Sequence, residues 1–294
     1  MLFDIHNIIF GKLNSDLLSR KGIELSIARL DKIHPVVSGN KLFKLYYFLE
    51  VFKNGAYKGI QTFGGAYSNH LVATAFACKQ FNIPCRGIVR GERPPELSHT
   101  LQQCQAYDME LQFVSRPQYE QLSCDQHSSG DWLIIPEGGY HPLGAKGASL
   151  ITASLKNTYT HICLAVGTAT TLAGILQKAA NDQSIIAIPV LKGMKDIHER
   201  LNLLNGRHHY SNLQVWDQYH FGGYAKKTPA LLQFMNELYK AHALPTDFVY
   251  TGKMMYAVMD NISNNVFAPG SHILCLHTGG LQGNASLPAG SLIF

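Results

Sequence analysis

Short apolar runs that alternate with helical stretches constrain the fold of this chain more than any other feature. Each run has the length and the apolar content of a strand, and most are followed by apolar residues at helical spacing. The predicted strands are residues 59–63, 85–91, 109–114, 131–136, 161–167, 184–190, 214–216 and 272–277. Strands separated by helices pair in parallel through right-handed crossovers. The sequence therefore predicts an α/β fold with parallel sheets and helices on both faces.

The length of the chain bears on its domain organisation. With 294 residues, it has material for about two domains. Apolar residues make up 46% and charged residues 15%, and this balance excludes a disordered chain. The predicted helices begin near residue 40 and then cover residues 68–81, 97–107, 143–156, 171–181, 194–204, 228–242 and 252–263.

Charge and hydropathy exclude several classes of partner. The net charge of +5 is spread along the chain, whereas a nucleic-acid surface needs a basic stripe. No run of about 18 apolar residues predicts a membrane span, and Asp4 and His6 interrupt any leader-like stretch at the start. The cysteines form no CxxC pair and the histidines show no metal-ligand spacing, so we expect free thiols, a cytoplasmic location and no metal site.

Glycine-rich loops follow four of the predicted strands. They are GGAYSNH (64–70), EGGYHPLGAKG (137–147), GTATTLAG (167–174) and TGGLQG (278–283). In open parallel sheets, ligands bind beyond the carboxyl ends of the strands. The sequence therefore predicts a ligand site built from these loops.

The GTATTLAG loop is the best candidate for binding an anion. Thr168, Thr170 and Thr171 offer hydroxyl donors, and the helix that follows turns free N–H groups toward the loop. The loop matches neither the GK[ST] nor the GxGxxG pattern. These features favour a phosphate site, and the alternative is an ordinary strand-to-helix turn.

The segment SGNKLFKL (38–45) places a lysine at the start of a helix. Either Ser38 or Asn40 is predicted to cap this helix, and Lys41 then falls in its first turn. The positive end of the helix dipole disfavours a cation there, which would lower the pKa of Lys41 toward that of a nucleophile or base. The alternative is a solvated surface lysine.

Six segments together resemble a known family. SGNKLFKL, GGAYSNH, EGGYHPLGAKG, GTATTLAG, VYTGK (249–253) and HTGGLQG (277–283) occur in one order over about residues 30–284. In this the chain is similar to the D-cysteine desulfhydrases and 1-aminocyclopropane-1-carboxylate (ACC) deaminases. These are pyridoxal-phosphate enzymes of fold type II, with the fold of the tryptophan synthase β-subunit.

The resemblance implies roles for ten residues. Lys41 corresponds to the lysine that holds pyridoxal phosphate as a Schiff base. Asn69 corresponds to the asparagine that binds the ring hydroxyl, and Ser68 to the serine near the substrate carboxylate or the reacting proton. The phosphate loop corresponds to Thr168, Ala169, Thr170 and Thr171. Tyr250 and, more loosely, Tyr224 correspond to active-site tyrosines, and Thr278 to a residue near the pyridine nitrogen.

Two positions bear on the reaction. This chain has Thr251 and Thr278, and the desulfhydrase branch also has threonine at these two positions. ACC deaminases have Glu and Leu there. The resemblance therefore implies β-elimination from D-cysteine or a related D-amino acid, a small substrate. The alternatives are ACC deamination, dehydration of a D-hydroxy amino acid, a pyridoxal-phosphate-binding protein without catalysis, and an unrelated nucleotide-binding α/β protein.

The resemblance also has departures and structural implications. Phe43, Tyr67 and Val72 stand where relatives have Arg, Gln and Arg, which bears on the substrate. The family fold implies a large cofactor-binding domain of residues 1–44 and 143–294, with residues 45–142 as a smaller inserted domain. It also implies a homodimer.

Overall fold

The computed structural model describes residues 7–37, 39–124, 131–155 and 158–294. Its strands form two separate sheets. The larger sheet has six strands in the order β1 (Ile9–Leu13), β2 (Glu24–Arg29), β10 (His272–His277), β7 (His161–Val166), β8 (Ser184–Pro189) and β9 (Leu213–Val215). The smaller has four in the order β5 (Glu110–Val114), β4 (Cys85–Arg90), β3 (Gly59–Gly64) and β6 (Trp132–Ile135).

All neighbouring strands pair in parallel except β1 and β2. The helices between them are α1 (Asp16–Lys21), α2 (Asn40–Asn54), α3 (Asn69–Gln80), α4 (His99–Ala106), α5 (Arg116–Cys124), α6 (Pro142–Ala153), α7 (Thr170–Lys178), α8 (Ile197–Asn205), α9 (Pro229–His242) and α10 (Thr251–Ser263). The predicted α/β class with parallel sheets is confirmed. None of the helices described is long and apolar enough to cross a membrane.

The eight predicted strands are all present, within two residues of their predicted bounds. Four elements were not predicted from the sequence, namely β1, β2, α1 and α5. Strand β1 is largely exposed and pairs antiparallel at the sheet edge, so it lacks the continuous apolar run of a buried parallel strand. Helix α5 is polar and carries a proline as its second residue.

The cap predicted for α2 is wrong for Asn40. Asn40 is the first residue of the helix, and Gly39 precedes it without any side-chain hydrogen bond. The other predicted cap, Ser38, lies outside the described residues. Gly39 has a φ of 68°, and a Cβ there would lie 1.9 Å from the carbonyl oxygen of Thr278. The backbone before Lys41 therefore packs directly against the loop after β10.

The four-stranded sheet comes from the middle of the chain and the six-stranded sheet from its two ends. The domain bounds at residues 45 and 142 stay a prediction. Helices α2, α6 and α7 pack closely on one another because glycines lie at their contacts. A Cβ on Gly147 of α6 would lie 2.0 Å from the carbonyl oxygen of Phe43, and one on Gly174 of α7 would lie 2.5 Å from that of Ala145.

Candidate active site

A cavity of about 620 Å³ lies where loops from the carboxyl ends of both sheets meet. Its volume is within the usual range for sites that bind small molecules. All ten residues singled out in the sequence line it, namely Lys41, Ser68, Asn69, Thr168, Ala169, Thr170, Thr171, Tyr224, Tyr250 and Thr278. The structure thus brings together side chains that are up to 237 positions apart in the chain.

Lys41 lies in the first turn of α2, as predicted, and faces the cavity. Its Nζ donates a hydrogen bond of 2.8 Å to Oδ1 of Asn40. Burial lowers the pKa of Lys41 to about 8, and the negative charge of Asp247 opposes this shift. The cause that dominates is therefore burial, where the sequence had pointed to the helix dipole.

A second lysine, Lys44, lies one helical turn beyond Lys41. It is buried, and its Nζ donates to the carbonyl oxygen of Gly138 at 3.0 Å. Burial and the charge of Lys41 hold its pKa well below the ordinary range. No role for Lys44 was predicted from the sequence, although its spacing of three from Lys41 places both lysines on one face of the helix.

The loop before α7 forms an anion cradle. Ala169 takes a left-handed conformation with a φ of 64°, and no side chain caps the helix that follows. The hydroxyls of Thr168 and Thr170 are 2.8 Å apart. The amide of Asn40 donates to Oγ1 of Thr171 at 2.8 Å, which leaves the hydroxyl proton of Thr171 for a ligand.

Helix α3 presents two unpaired polar atoms. Ser68 caps this helix by accepting from the N–H of Leu71 at 3.3 Å, as its sequence position indicated. The side-chain oxygen of Asn69 and Nδ1 of His70 are both buried and have no hydrogen-bond partner among the described residues. Both residues line the cavity.

The tautomer of His70 follows from its neighbours. The hydroxyl of Thr62 donates its one proton to the carbonyl oxygen of Ile135 at 2.8 Å, so it must accept from Nε2 of His70 at 2.9 Å. Burial and the charges of Lys41 and Lys44 lower the pKa of His70 to about 3. His70 is therefore neutral, with a bare Nδ1 that acts as an acceptor.

Two tyrosines, Tyr224 and Tyr250, also line the cavity. The hydroxyl of Tyr250 donates to that of Tyr224 at 3.4 Å. Burial raises the pKa of both phenols, so both remain protonated at neutral pH. The fully buried Lys253 donates to the carbonyl oxygens of His220 and Gly223 and so holds the segment that precedes Tyr224.

Asp247 organises the start of α10. Its carboxylate accepts from the backbone N–H groups of Val249, Tyr250 and Thr251 at 2.8 to 3.0 Å. The hydroxyl of Thr251 also donates to it at 2.7 Å. These contacts fix Tyr250 at the edge of the cavity.

Comparison with known proteins shows which family the chain belongs to. A sequence model described as a pyridoxal-phosphate dependent enzyme matches residues 15–279. The chain belongs to this enzyme family. It is therefore an enzyme whose cofactor is pyridoxal phosphate, and the predicted resemblance and cofactor are confirmed.

Relatives within this family carry two kinds of name. A putative ACC deaminase from Pyrococcus abyssi is 27% identical over 288 residues, covering 89% of this chain and 86% of the relative. A bifunctional D-cysteine desulfhydrase/ACC deaminase from Arabidopsis thaliana is 26% identical, and the match covers 89% of this chain and 73% of the relative. A D-cysteine desulfhydrase from Yersinia pestis is 25% identical, with 90% and 88% covered.

Solved structures support the fold of this pyridoxal-phosphate enzyme. An ACC deaminase homologue superposes with a TM-score of 0.76 at 24% identity, covering 94% of this chain and 90% of the other. A hydrogen sulfide-producing enzyme from Fusobacterium nucleatum superposes with a TM-score of 0.67 at 15% identity, with 96% and 98% covered.

The cavity of this pyridoxal-phosphate enzyme fits the cofactor. The open end of α7 and the free proton of Thr171 suit a phosphate group, and Nζ of Lys44 supplies N–H donors in the same cavity. The unpaired side-chain oxygen of Asn69 offers a polar contact to the ring. Lys41 supplies an amine with a lowered pKa for the aldehyde.

Proposed function

We propose that this enzyme is a lyase that removes the β-substituent of D-cysteine, or of a related D-amino acid, to give pyruvate, ammonia and sulfide. D-Cysteine and one water balance these three products. Bound pyridoxal phosphate would hold the amino group of the substrate and delocalise the electron pair left at Cα. The chain supplies the remaining groups.

The buried contact between Thr251 and Asp247 favours the desulfhydrase reaction over ACC deamination. Both side chains are fully buried, and the Thr251 hydroxyl donates to the Asp247 carboxylate. A glutamate at position 251, as the resemblance gives for ACC deaminases, would place a second carboxylate against Asp247 in a buried space. Like charges so close disfavour one another strongly. The pair therefore supports the desulfhydrase reaction.

The proposed roles follow from the positions of the side chains. Lys41 holds the cofactor and, once released, takes the proton from Cα of the substrate. Thr168, Thr171 and the N-terminus of α7 hold the phosphate, and Asn69 orients the ring. Tyr250 keeps its proton at neutral pH, and in the proposed reaction its hydroxyl turns from Tyr224 to donate that proton to the departing sulfur.

ACC deamination to 2-oxobutyrate and ammonia is the second candidate. The names of several relatives favour it, including the Pyrococcus abyssi protein. A binding protein without catalysis has less support, because burial brings the pKa of Lys41 close to neutrality, as a reactive amine requires.

The assembly and the compartment are part of the same proposal. We infer a homodimer, which sedimentation of the holoenzyme tests. We also infer a cytoplasmic location, because the described cysteines Cys78, Cys85, Cys104, Cys163 and Cys275 are free and buried, as is usual in a reducing compartment.

One experiment separates the candidates. Holoenzyme is titrated with D-cysteine, L-cysteine and ACC while absorption, sulfide, pyruvate and 2-oxobutyrate are measured. We expect sulfide and pyruvate from D-cysteine. Lys41→Ala should lose both the visible absorption and turnover, whereas Lys178→Ala, at an exposed lysine of α7, should keep both. Consumption of ACC without any pyruvate from D-cysteine would refute the desulfhydrase proposal.

A further inference from the structure

An arginine at the rim of the cavity has no role in the scheme above. Arg90 is the last residue of β4, and its side chain lines the cavity with 47% of its surface exposed. It lies beside the loop that joins β3 to α3, since a Cβ on Gly65 would lie 3.6 Å from its Nη2. Apart from Gly65 itself and the two residues adjoining it in the chain, no other described atom lies within 4 Å of that Cβ position, so the space beside the guanidinium is open.

The guanidinium of Arg90 is held in place by an aromatic ring and not by hydrogen bonds. It lies over the ring of Tyr119, with its carbon 5.3 Å from the ring centre. The Tyr119 hydroxyl donates to Oε2 of Glu137 at 2.8 Å, and that same oxygen is 3.9 Å from Nη1 of Arg90. This separation exceeds a hydrogen bond. Within the described part of the chain, the guanidinium N–H groups of Arg90 have no hydrogen-bond partner.

Other cations of the cavity are committed to partners. Arg200 donates from Nε to Oδ2 of Asp196 at 2.8 Å. Lys44 donates to the carbonyl oxygen of Gly138. Arg90 differs from them in that neither a carboxylate nor a carbonyl oxygen accepts a hydrogen bond from its guanidinium, so its whole planar set of donors is free to bind a ligand.

The neighbouring charge indicates which anion fits. Glu137 offsets part of the positive charge of Arg90, so the position suits a singly charged group better than a phosphate dianion. A carboxylate accepts two parallel N–H bonds from a guanidinium. Gly65, Ser68 and Arg90 line the same cavity, and the resemblance places the substrate near Ser68.

We propose that Arg90 is a specificity-determining residue that binds a carboxylate of the amino-acid substrate. The inference rests on the proposed function only in taking the substrate to be an amino acid. The carboxylate is either the α-carboxylate or one on the side chain. Both present the same chemistry to Arg90, and the choice of ligands separates them.

The test uses holoenzyme with Arg90→Gln and Arg90→Lys. Arg93→Gln is the matched control, because Arg93 also lies over an aromatic ring, that of Phe113, but is not among the cavity residues. The readouts are the dissociation constant, from the change in cofactor absorption on adding D-cysteine, and KM and kcat separately. If Arg90 binds the α-carboxylate, Arg90→Gln should raise the dissociation constant and KM for D-cysteine about 10- to 100-fold, with kcat within about threefold. If it binds a side-chain carboxylate, these values should stay unchanged for D-cysteine, which has none. Arg90→Lys should lie between, and Arg93→Gln should match the wild type.

Four further ligands identify which carboxylate is bound. They are D-serine, its methyl ester, S-carboxymethyl-D-cysteine and S-ethyl-D-cysteine. If Arg90 binds the α-carboxylate, Arg90→Gln weakens every free acid by a similar factor and leaves the ester unchanged. If it binds a side-chain carboxylate, Arg90→Gln removes only a wild-type preference for the carboxymethyl over the ethyl compound.

Two results would overturn the role of Arg90. One is unchanged binding of all the free acids by Arg90→Gln, and the other is equal weakening of the acids and the ester, which a purely structural effect would give. A wild-type enzyme that binds amino acids but makes no sulfide from D-cysteine refutes the proposed reaction alone, since the binding comparison still decides the role of Arg90. If no amino acid changes the absorption, the Arg90 proposal is wrong as well.

Discussion

The side-chain amide of Asn40 donates a 2.8 Å hydrogen bond to Oγ1 of Thr171 in the buried wall of the cavity. The bond joins the residue before Lys41 to the loop before α7. An amide proton given to this oxygen leaves the hydroxyl proton of Thr171 directed elsewhere. One contact thus sets the position of the Schiff-base lysine candidate and the donor direction of the phosphate-loop candidate.

Thr171→Val should therefore weaken cofactor binding. A lost hydrogen bond to a charged group costs about 1.5–3 kcal/mol, which is roughly a 10- to 100-fold rise in the dissociation constant for pyridoxal phosphate. Titration of the apoprotein, followed by visible absorption, measures it. Pyridoxal, which lacks the phosphate, should bind both proteins alike. Thr152→Val, on α6 outside the cavity, should bind the cofactor as the wild type does. Equal weakening of pyridoxal and pyridoxal phosphate would contradict the phosphate role.

The lowered pKa of Lys41 predicts the pH dependence of cofactor attachment. Only the neutral amine attacks the aldehyde, and burial brings the pKa of Lys41 to about 8. The rate on mixing apoprotein with pyridoxal phosphate should rise about tenfold per pH unit below 8 and level off above it. An unperturbed lysine would continue to rise toward pH 10.4. Stopped-flow absorption measures this rate.

Asp247→Asn tests whether the Asp247 carboxylate contributes to the pKa of Lys41. Because the charge of Asp247 raises the pKa of Lys41, its removal should move the midpoint of the pH profile below 8. A midpoint that stays unchanged, or moves upward, would show that this carboxylate does not act on Lys41.

The sequence predicted the elements and the loops better than the contacts between them. Buried parallel strands such as β7 are continuous apolar runs, and GTATTLAG carries its own turn residues. Strand β1 is largely exposed and depends on β2 for its pairing, so no local pattern marks it. The same holds for the cap of α2, where Gly39 is required by the approach of Thr278 from the other end of the chain.

In the candidate site, too, some features were predictable from the local sequence and others depend on tertiary contacts. Lys41 was predicted because its motif is contiguous in sequence. The bare Nδ1 of His70 follows from Thr62 and Ile135, and the free donors of Arg90 follow from Tyr119. Such states depend on partners that only tertiary packing supplies.

The hydrogen bond between Tyr250 and Tyr224 predicts unequal roles for the two phenols. Tyr250 donates and Tyr224 accepts, and burial keeps both protonated beyond neutral pH. Loss of a proton donor costs about 10²- to 10⁴-fold in rate, so Tyr250→Phe should lower kcat for D-cysteine by at least about 100-fold. Tyr224→Phe removes the resting partner of Tyr250 but leaves the Tyr250 hydroxyl in place as the donor, so it should lower kcat by less than about tenfold.

A substrate with a better leaving group separates proton donation from packing. Chloride leaves β-chloro-D-alanine without needing a proton, so Tyr250→Phe should retain most of the wild-type kcat on that compound. Formation of pyruvate measures both reactions. An equal loss of kcat on D-cysteine and on β-chloro-D-alanine would show that Tyr250 acts through packing or binding.

Gly147→Ala should destabilise the protein although alanine favours helices. In an open helix this change gains about 0.5–1 kcal/mol. Here the new Cβ would lie 2.0 Å from the carbonyl oxygen of Phe43, so α6 must move away from α2. Overpacking of this kind costs about 1–3 kcal/mol. The midpoint of urea unfolding of the apoprotein should fall for Gly147→Ala, and remain near the wild type for Gly11→Ala, where a Cβ meets no atom within 4 Å. Because α2 also carries Lys41, the same variant should bind pyridoxal phosphate more weakly. A rise in the urea midpoint would show that the two helices can separate without cost.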